Sequence, residues 1–122
     1  MILKTVSLDY DKDNEFVDDG LIYVHFIFGD GPGVVPLYIS VATDDKEPDS
    51  LYYEAHDQSE GFNTTDLSYS IANTVIELRF SDESEHTFFW NNAKKVQIEI
   101  DAAYLPVIKE KMAAIWSGLL PQ

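Results

Sequence analysis

Alternating carboxylates near the start of the chain are the first candidates for chemistry. Four acids share the spacing at which calcium loops place their oxygen ligands: Asp9, Asp11, Asp13 and Glu15. Such a loop also requires a glycine at its sixth position and a glutamate at its twelfth. Counted from Asp9, these positions hold Asn14 and Gly20, and counted from Asp11 they hold Phe16 and Ile22. The count argues against a built calcium site, and we expect no metal ion.

Histidines and nucleophile motifs are the next candidates. His25, His56 and His86 lie far apart, and neither an H-x-H nor an H-x₃-H spacing joins them, so the pattern does not favour a zinc site. No serine lies in a G-x-S-x-G elbow, and the glycines within 29–33 precede a strand-like segment, which indicates a hairpin rather than a phosphate loop. We therefore expect no enzyme, no catalytic residue and no cofactor. His25, within a strand, is expected to be a core or cross-strand residue.

Charge excludes several classes of partner. The 122 residues carry a formal net charge of −14, and residues 1–60 contain fourteen acids against three bases. A field of one sign repels nucleic acid and anionic membranes and steers cationic partners into contact. The composition predicts no nucleic-acid partner, no membrane partner and, as the best-motivated binding partner, a basic protein. The alternative is that the acidity only keeps the domain soluble.

The segment around residue 50 is the candidate binding surface. Residues 44–50 hold four acids and a proline, which indicates an exposed loop, and two adjacent tyrosines follow on a predicted strand. Because neighbouring strand residues point to opposite faces, Tyr52 or Tyr53 can be an exposed anchor, although both can also be packed. The predicted partner-binding residues are Asp44, Asp45, Glu47, Asp49, Tyr52, Tyr53, Asp57 and Glu60.

Strand patterns dominate the elements that would position these residues. Alternating or apolar runs predict strands at 3–10, 21–28, 36–43, 51–58, 65–72, 74–80 and 95–101, with a turn at 59–63 around Gly61. One helix follows, with Pro106 in its first turn and an apolar stripe formed by Leu105, Ile108, Met112, Ile115 and Leu119. We expect a single domain over 1–122, of the α+β class, with a mostly antiparallel β sheet and one C-terminal helix packed on a sheet face.

Cysteine usage and the first residues indicate the compartment. The chain has no cysteine, which excludes disulfides, thiolate zinc sites and a cysteine nucleophile. The N-terminus lacks a basic segment followed by a long apolar run, so no signal peptide is expected. Both observations favour a cytoplasmic protein.

Residues 51–61, LYYEAHDQSEG, carry a resemblance to a known family. They resemble the immunity protein 10 family of bacterial polymorphic toxin systems, with its Tyr-Tyr-x-Glu-like strand, Asp-Gln pair and glycine turn. The matching residues are Tyr53, Glu54, Asp57, Gln58 and Gly61, and the likeness extends through the later strands and the helix, over about 45–120. The resemblance implies a cytoplasmic protein that binds and neutralises a cognate toxin, and it implies no catalytic residues.

An immunity protein is thus the leading expectation, a monomer or homodimer that neutralises a basic toxin through an acidic surface. Toxins that act on nucleic acid need basic clefts to neutralise phosphates, and an acidic antagonist complements such a cleft. Two alternatives from other classes stay open. One is a small acidic hydrolase or metal-dependent enzyme that uses carboxylates with His56 or His86, and the other is a structural homo-oligomeric subunit that pairs edge strands.

Overall fold

Nine strands and one helix make up the part of the chain that the computed structural model describes, which is residues 2–10, 22–29, 31–43 and 49–117. A 3₁₀ turn, Ala102–Tyr104, leads into the helix. In chain order the strands are β1 (Ile2–Lys4), β2 (Ser7–Tyr10), β3 (Tyr23–Ile27), β4 (Tyr38–Thr43), β5 (Leu51–Ala55), β6 (Asp57–Thr64), β7 (Leu67–Ala72), β8 (Val75–Phe80) and β9 (Lys95–Glu99), and the helix is α1 (Leu105–Trp116).

The strands form two sheets. One has four strands in the order β1-β9-β8-β7, and the other has five strands in the order β2-β3-β4-β5-β6. All pairs are antiparallel except β1 with β9, which are parallel. The expected α+β class, with mostly antiparallel strands and one C-terminal helix, is confirmed.

The N-terminal segment crosses from one sheet to the other. The sequence predicted one strand over 3–10, but the chain divides at Thr5 and Val6. The Thr5 amide donates to the Glu99 carbonyl at 3.1 Å, at the edge of the four-stranded sheet, and the Val6 amide donates to the Ile27 carbonyl at 2.7 Å in the five-stranded sheet. The weak alternation of this segment thus reflects a change of partner strand within two residues.

Alternation of side chains builds the core between the sheets. Inner residues of the five-stranded sheet are fully buried, as at Val24, Phe26 and Ile39, while their neighbours along each strand face the other way. Inner residues of the four-stranded sheet, such as Leu78 and Ile98, join the same apolar cluster. Residues 21–28 are apolar on both sides, as is typical of a central strand, and β3 lies inside its sheet, between β2 and β4.

Helix α1 closes one side of this core against β3 and β4. Three residues of the predicted stripe, Ile108, Met112 and Ile115, are buried, Leu105 is half-buried, and Leu119 lies outside the described residues. Pro106 occupies the first turn as predicted. The stripe omitted Trp116, which is 3% exposed and whose indole Nε1 donates to the Leu67 carbonyl at 2.8 Å, so the helix is also tied to β7.

The turn predicted at 59–63 is wrong. Strand β6 runs through it, with Phe62 opposite Tyr53 and Asn63 opposite Tyr52. The chain reverses instead at His56, whose φ is +69°. Gly61 lies within β6 and is not part of a turn.

Within the described ranges, no helix is both long enough and apolar enough to cross a membrane.

Truncating α1 inside the core should destabilise the protein strongly. Ile108→Ala or Met112→Ala removes a fully buried side chain, and we expect each to lower the free energy of unfolding by about 2–5 kcal/mol. Urea denaturation measures the change, with Glu110→Ala on the exposed side of the same helix as the control. Losses below about 0.5 kcal/mol at both core sites, the range of ordinary surface substitutions, would contradict the docking of the helix.

Candidate functional site

The predicted binding residues do not form one cluster. Asp49 precedes β5, whereas Asp57 and Glu60 follow it in β6, so they lie toward opposite ends of the hairpin; all three are exposed. Asp44, Asp45 and Glu47 lie outside the described residues. Tyr53 is 2% exposed and packs in the core against Phe62, Phe80 and Phe88, so it cannot serve as a surface anchor. Tyr52 lies on the opposite face and is half-buried, and its role as an anchor stays a prediction.

Charged and aromatic side chains collect instead on the solvent-facing side of the five-stranded sheet, here called the outer face. One cross-strand row contains Asp9, His25, Ser40 and Glu54, because each is the register partner of the next across β2, β3, β4 and β5. Tyr23, Tyr38 and Tyr52 flank this row on the same face. No lysine or arginine occurs at the described strand positions of this face.

Glu54 is held between two phenols. The Tyr52 hydroxyl donates to its Oε1 at 2.5 Å, and the Tyr38 hydroxyl, from the neighbouring strand β4, donates to its Oε2. Each carboxylate oxygen therefore accepts one tyrosine hydrogen bond, and the side chain is fixed across two strands. Hydrogen bonds to a charged acceptor are about twice as strong as neutral ones, so this arrangement orders all three side chains.

Gly61 makes room for this arrangement. A Cβ on Gly61 would lie 2.0 Å from the Tyr52 hydroxyl oxygen and 2.8 Å from its Cζ, so the ring rests directly over the glycine of β6. A side chain at position 61 would push the phenol off Glu54. The glycine is thus required inside a strand by close approach of a neighbouring side chain, and not by a turn.

Burial and Glu54 both suppress ionisation of the two phenols. Burial, the Glu54 hydrogen bond and the Glu54 charge together raise the pKa of Tyr52 to about 12. Burial followed by the same two effects, with smaller contributions from Tyr52 and Asp57, raises the pKa of Tyr38 well above its usual range. Both phenols therefore remain neutral donors throughout the physiological range.

His25 lies beside these phenols and stays uncharged near neutral pH. Its ring meets Tyr23 edge to face at a centroid distance of 4.9 Å and Tyr38 at 6.4 Å. Burial lowers the pKa of His25, and the charges of Asp9 and Glu54 only partly oppose this effect. The expectation of a cross-strand residue is correct for His25.

The order Asp9, His25, Ser40 contains the residue types of nucleophilic catalysis. However, no side-chain hydrogen bond joins these three among the interactions of the described residues, and Ser40 is only 4% exposed. A serine nucleophile needs an accessible hydroxyl bonded to its base and oxyanion donors beside it. The arrangement of Asp9, His25 and Ser40 does not meet these requirements.

The other two histidines make structural contacts. His56 accepts the Leu37 amide on Nδ1 at 3.0 Å, which fixes the turn between β5 and β6 against β4. His86 stacks on Phe62 with ring centroids 4.2 Å apart. Among the described residues, no group of three or more His, Cys, Asp or Glu side chains could hold a metal ion.

His86 also borders an acidic turn that is held by hydrogen bonds. Burial acts to raise the pKa of Asp66, but hydrogen bonds from Ser84 and Thr64 and the nearby His86 outweigh it and keep that pKa below its usual range. Lys94 donates to the Ser84 and His86 carbonyls from the other side. These contacts indicate a structural role for His86.

The outer face could be found only in part from the sequence. Glu54 was noticed through the family resemblance, and Tyr52 through its position beside Tyr53. Asp9 and Tyr38 were missed as site residues, because their meeting with Glu54 depends on register among four strands. The polar side of an alternating strand was the available signal, but it does not state which strands are neighbours.

Ionisation of the outer-face tyrosines should be delayed and should be coupled to stability. Unfolded tyrosines ionise near pH 10, whereas Tyr52 and Tyr38 keep their protons above that pH in the folded state. Their contribution to stability is therefore complete below about pH 10 and is lost as pH rises through the folded pKa values. Absorbance titration of the seven tyrosines should contain components that ionise late.

Tyr52→Phe should remove one such late component, and Glu54→Gln should move two components toward pH 10. Tyr104→Phe, at an exposed tyrosine outside the sheet, is the control and should leave the late components in place. Loss of a normal component on Tyr52→Phe would contradict the bridge through Glu54.

Alanine at position 61 should break this bridge. Gly61→Ala places a methyl group within contact distance of the Tyr52 ring, so we expect Tyr52 to ionise closer to pH 10 and the free energy of unfolding to fall by about 1–3 kcal/mol, as in other overpacked sites. Gly31→Ala is the matched control, because its nearest contact would be ordinary, at 3.9 Å from a Val34 methyl. An unchanged Tyr52 titration in Gly61→Ala would show that the ring does not rest on residue 61.

Comparisons of the chain with known proteins give no assignment. No protein-family model, no curated protein and no solved structure matches the chain. What the chain does has to be inferred from its charge and from the outer face.

Proposed function

We propose that the protein is a non-enzymatic binder that captures and neutralises a basic toxin, as the resemblance to the immunity protein 10 family implies. The observation that carries the proposal is the outer face, where carboxylates and tyrosines occur without a lysine or arginine at the described strand positions. A basic protein is the partner that this combination complements.

The two sheets differ in this respect. The outward positions of the four-stranded sheet mix both signs of charge, with Lys4 beside Glu99 and Arg79 beside Lys95. Such a surface has no preferred sign of partner, whereas the outer face of the five-stranded sheet attracts cations only. We therefore assign the binding surface to the five-stranded sheet and treat the four-stranded sheet as scaffold.

Tyrosine gives the outer face its contact energy. Interface hot spots are enriched in tyrosine because the ring buries a large area and has few rotamers to immobilise. Tyr52 is half-buried and is already fixed by Glu54, so it would lose little further freedom on binding. Because Tyr53 is buried, Tyr52 is the one of these two adjacent tyrosines that we propose as the anchor.

Two acidic segments, 11–21 and 44–48, adjoin strands of this sheet in sequence, and we expect their charges to guide the encounter. The residues that border segments 11–21 and 44–48 meet at one end of the sheet, since the Ile22 amide donates to Thr43 Oγ1 at 2.9 Å and the Thr43 amide to the Ile22 carbonyl at 2.9 Å. These two segments contain eight acids, counted from Asp11, Asp13, Glu15, Asp18, Asp19, Asp44, Asp45 and Glu47. Charges at the rim of an interface act mainly on the association rate. We therefore expect these acids to accelerate association and to have little effect on dissociation.

Reversing the charge of Asp44, Asp45, Glu47 and Asp49 should slow association with the toxin domain encoded beside this gene. We expect the association rate at low salt to fall about tenfold or more and its dependence on salt to flatten. Binding kinetics at two salt concentrations measure both. Reversal of Asp82, Glu83, Glu85 and Glu110, four exposed acids elsewhere, is the control with an equal change in net charge.

Tyr52→Ala should instead accelerate dissociation and weaken the complex by about 2 kcal/mol or more, as at other hot spots. Tyr104→Ala, at an exposed tyrosine outside the sheet, should leave the complex unchanged. If no neighbouring gene product binds, or if binding ignores both salt and the four acids, the proposed function is wrong.

A further inference from the structure

A cleft opens on the outer face beside the cross-strand row. It has a volume of about 390 Å³ and is lined by Asp9, His25, Ile27, Gly29, Leu37, Tyr38 and Glu54. Carboxylates from β2 and β5 reach it from two sides, and the imidazole and phenol rings of β3 and β4 lie between them. The walls thus combine two carboxylates, aromatic rings and short apolar side chains.

No positive charge within the described lining compensates these carboxylates. The lining contains no lysine or arginine, and burial keeps His25 uncharged near neutral pH. The backbone of Asp9 pairs with His25 in the sheet, but its carboxylate takes part in no side-chain hydrogen bond found among the described residues, so its carboxylate oxygens are available as acceptors. The cleft therefore has acceptors in excess and lacks the donors that would satisfy them.

Glu54 points its acceptors in fixed directions. Its two oxygens accept from Tyr38 and Tyr52, yet each carboxylate oxygen can accept a second hydrogen bond. The phenol oxygens, whose hydrogens point toward Glu54, also present lone pairs. A ligand entering from solvent would meet acceptors that are already ordered, which lowers the entropy lost on binding.

We propose that this cleft binds the guanidinium group of an arginine side chain presented by the basic partner. The inference rests on the proposed function for its partner and on the geometry of the cleft for its ligand. An arginine supplies five N–H donors in one plane, pairs with carboxylates and stacks on aromatic rings. A lysine ammonium is more strongly hydrated and lacks the planar face that His25 and Tyr38 would accommodate.

The end of the sheet beside the cleft adds an apolar rim. Phe89 is 38% exposed, and its ring centroid lies 5.9 Å from that of His56. His56 in turn accepts a hydrogen bond from the amide of Leu37, and Leu37 lines the cleft. Apolar surface next to a cation site excludes water from the ion pair and strengthens it. The arginine would thus be the centre of a contact whose border includes Phe89.

N-acetyl-arginine amide tests the cleft without the toxin. It is titrated into the isotopically labelled protein while the backbone amide spectrum is followed. N-acetyl-citrulline amide, which has nearly the same shape but no charge, is the control ligand. We expect shift changes concentrated at Asp9, His25, Tyr38 and Glu54 with the arginine ligand, smaller changes with its lysine analogue, and none with citrulline.

Variants on the two sheets give the matched comparison. Asp9→Asn and Glu54→Gln should each weaken arginine binding by about threefold to fivefold, the range of exposed ion pairs. Glu77→Gln, a strand glutamate on the outward side of the four-stranded sheet, should leave it unchanged. Asp9→Asn tests the cleft even if Glu54→Gln disturbs the fold, because the Asp9 carboxylate makes no described side-chain hydrogen bond whose loss would destabilise the sheet.

Equal responses to arginine and citrulline, no shifts at the four cleft residues, or an affinity that Asp9→Asn leaves unchanged would each overturn the proposal. Failure here is distinguishable from failure of the proposed function. A toxin that binds a protein whose cleft ignores arginine would refute only the cleft, whereas arginine binding without any toxin partner would refute only the function.

Discussion

Register in the five-stranded sheet is the constraint on which the outer face depends. Each strand buries every second side chain in the core, as Val24 and Phe26 do in β3 and Ile39 and Val41 do in β4. A slip of one residue in any strand would expose its apolar set and bury its polar set. Such an exchange would destabilise the core. The hydrophobic effect on the inner face of the sheet therefore determines which polar side chains meet on the outer face.

Glu54 links this register to the surface. Because Tyr38 and Tyr52 approach it from two neighbouring strands, the carboxylate connects β4 and β5 through side chains as well as through the backbone. The absence of a side chain at Gly61 of β6 then leaves room for the Tyr52 ring. Three strands are therefore needed to orient one acid. The strands supply most of the cleft lining, and Gly29 and Leu37 of the connection between β3 and β4 complete it.

Local patterns in the sequence were sufficient for much of the fold. The helix stripe at Ile108, Met112 and Ile115 and the alternation of β8 and β9 were read correctly, because a period of 3.6 or 2 appears within a few residues. The division at Thr5 and Val6 was missed, since both halves look like strand and only the partners differ. Gly61 was taken for a turn because a glycine that accommodates a ring from the next strand has no distinct local pattern.

The candidate site was the harder part for the same reason. The acidic charge followed from composition, and strand geometry predicted that Tyr52 and Tyr53 point to opposite faces. The row from Asp9 to Glu54 joins four strands that are distant in sequence, and no spacing along the chain encodes it. The roles of the histidines also depend on their neighbours in the fold, such as the Leu37 amide that donates to His56, and the sequence does not show these neighbours.

The parallel pairing of β1 with β9 has a consequence for synthesis of the chain. β2 can pair with β3 once residues up to 27 have been made, but Ile2–Lys4 has no partner until Lys95–Glu99 follows. Among the described strands, the first in sequence is therefore the last to find its partner, and the edge of β9 is completed by a strand that is distant from it in sequence. Contacts so distant in sequence slow folding, and an unpaired strand is exposed to other nascent chains in the meantime. Val6, which is 70% exposed in the folded protein, lies between β1 and β2, next to the strand that stays unpaired until β9 has been made.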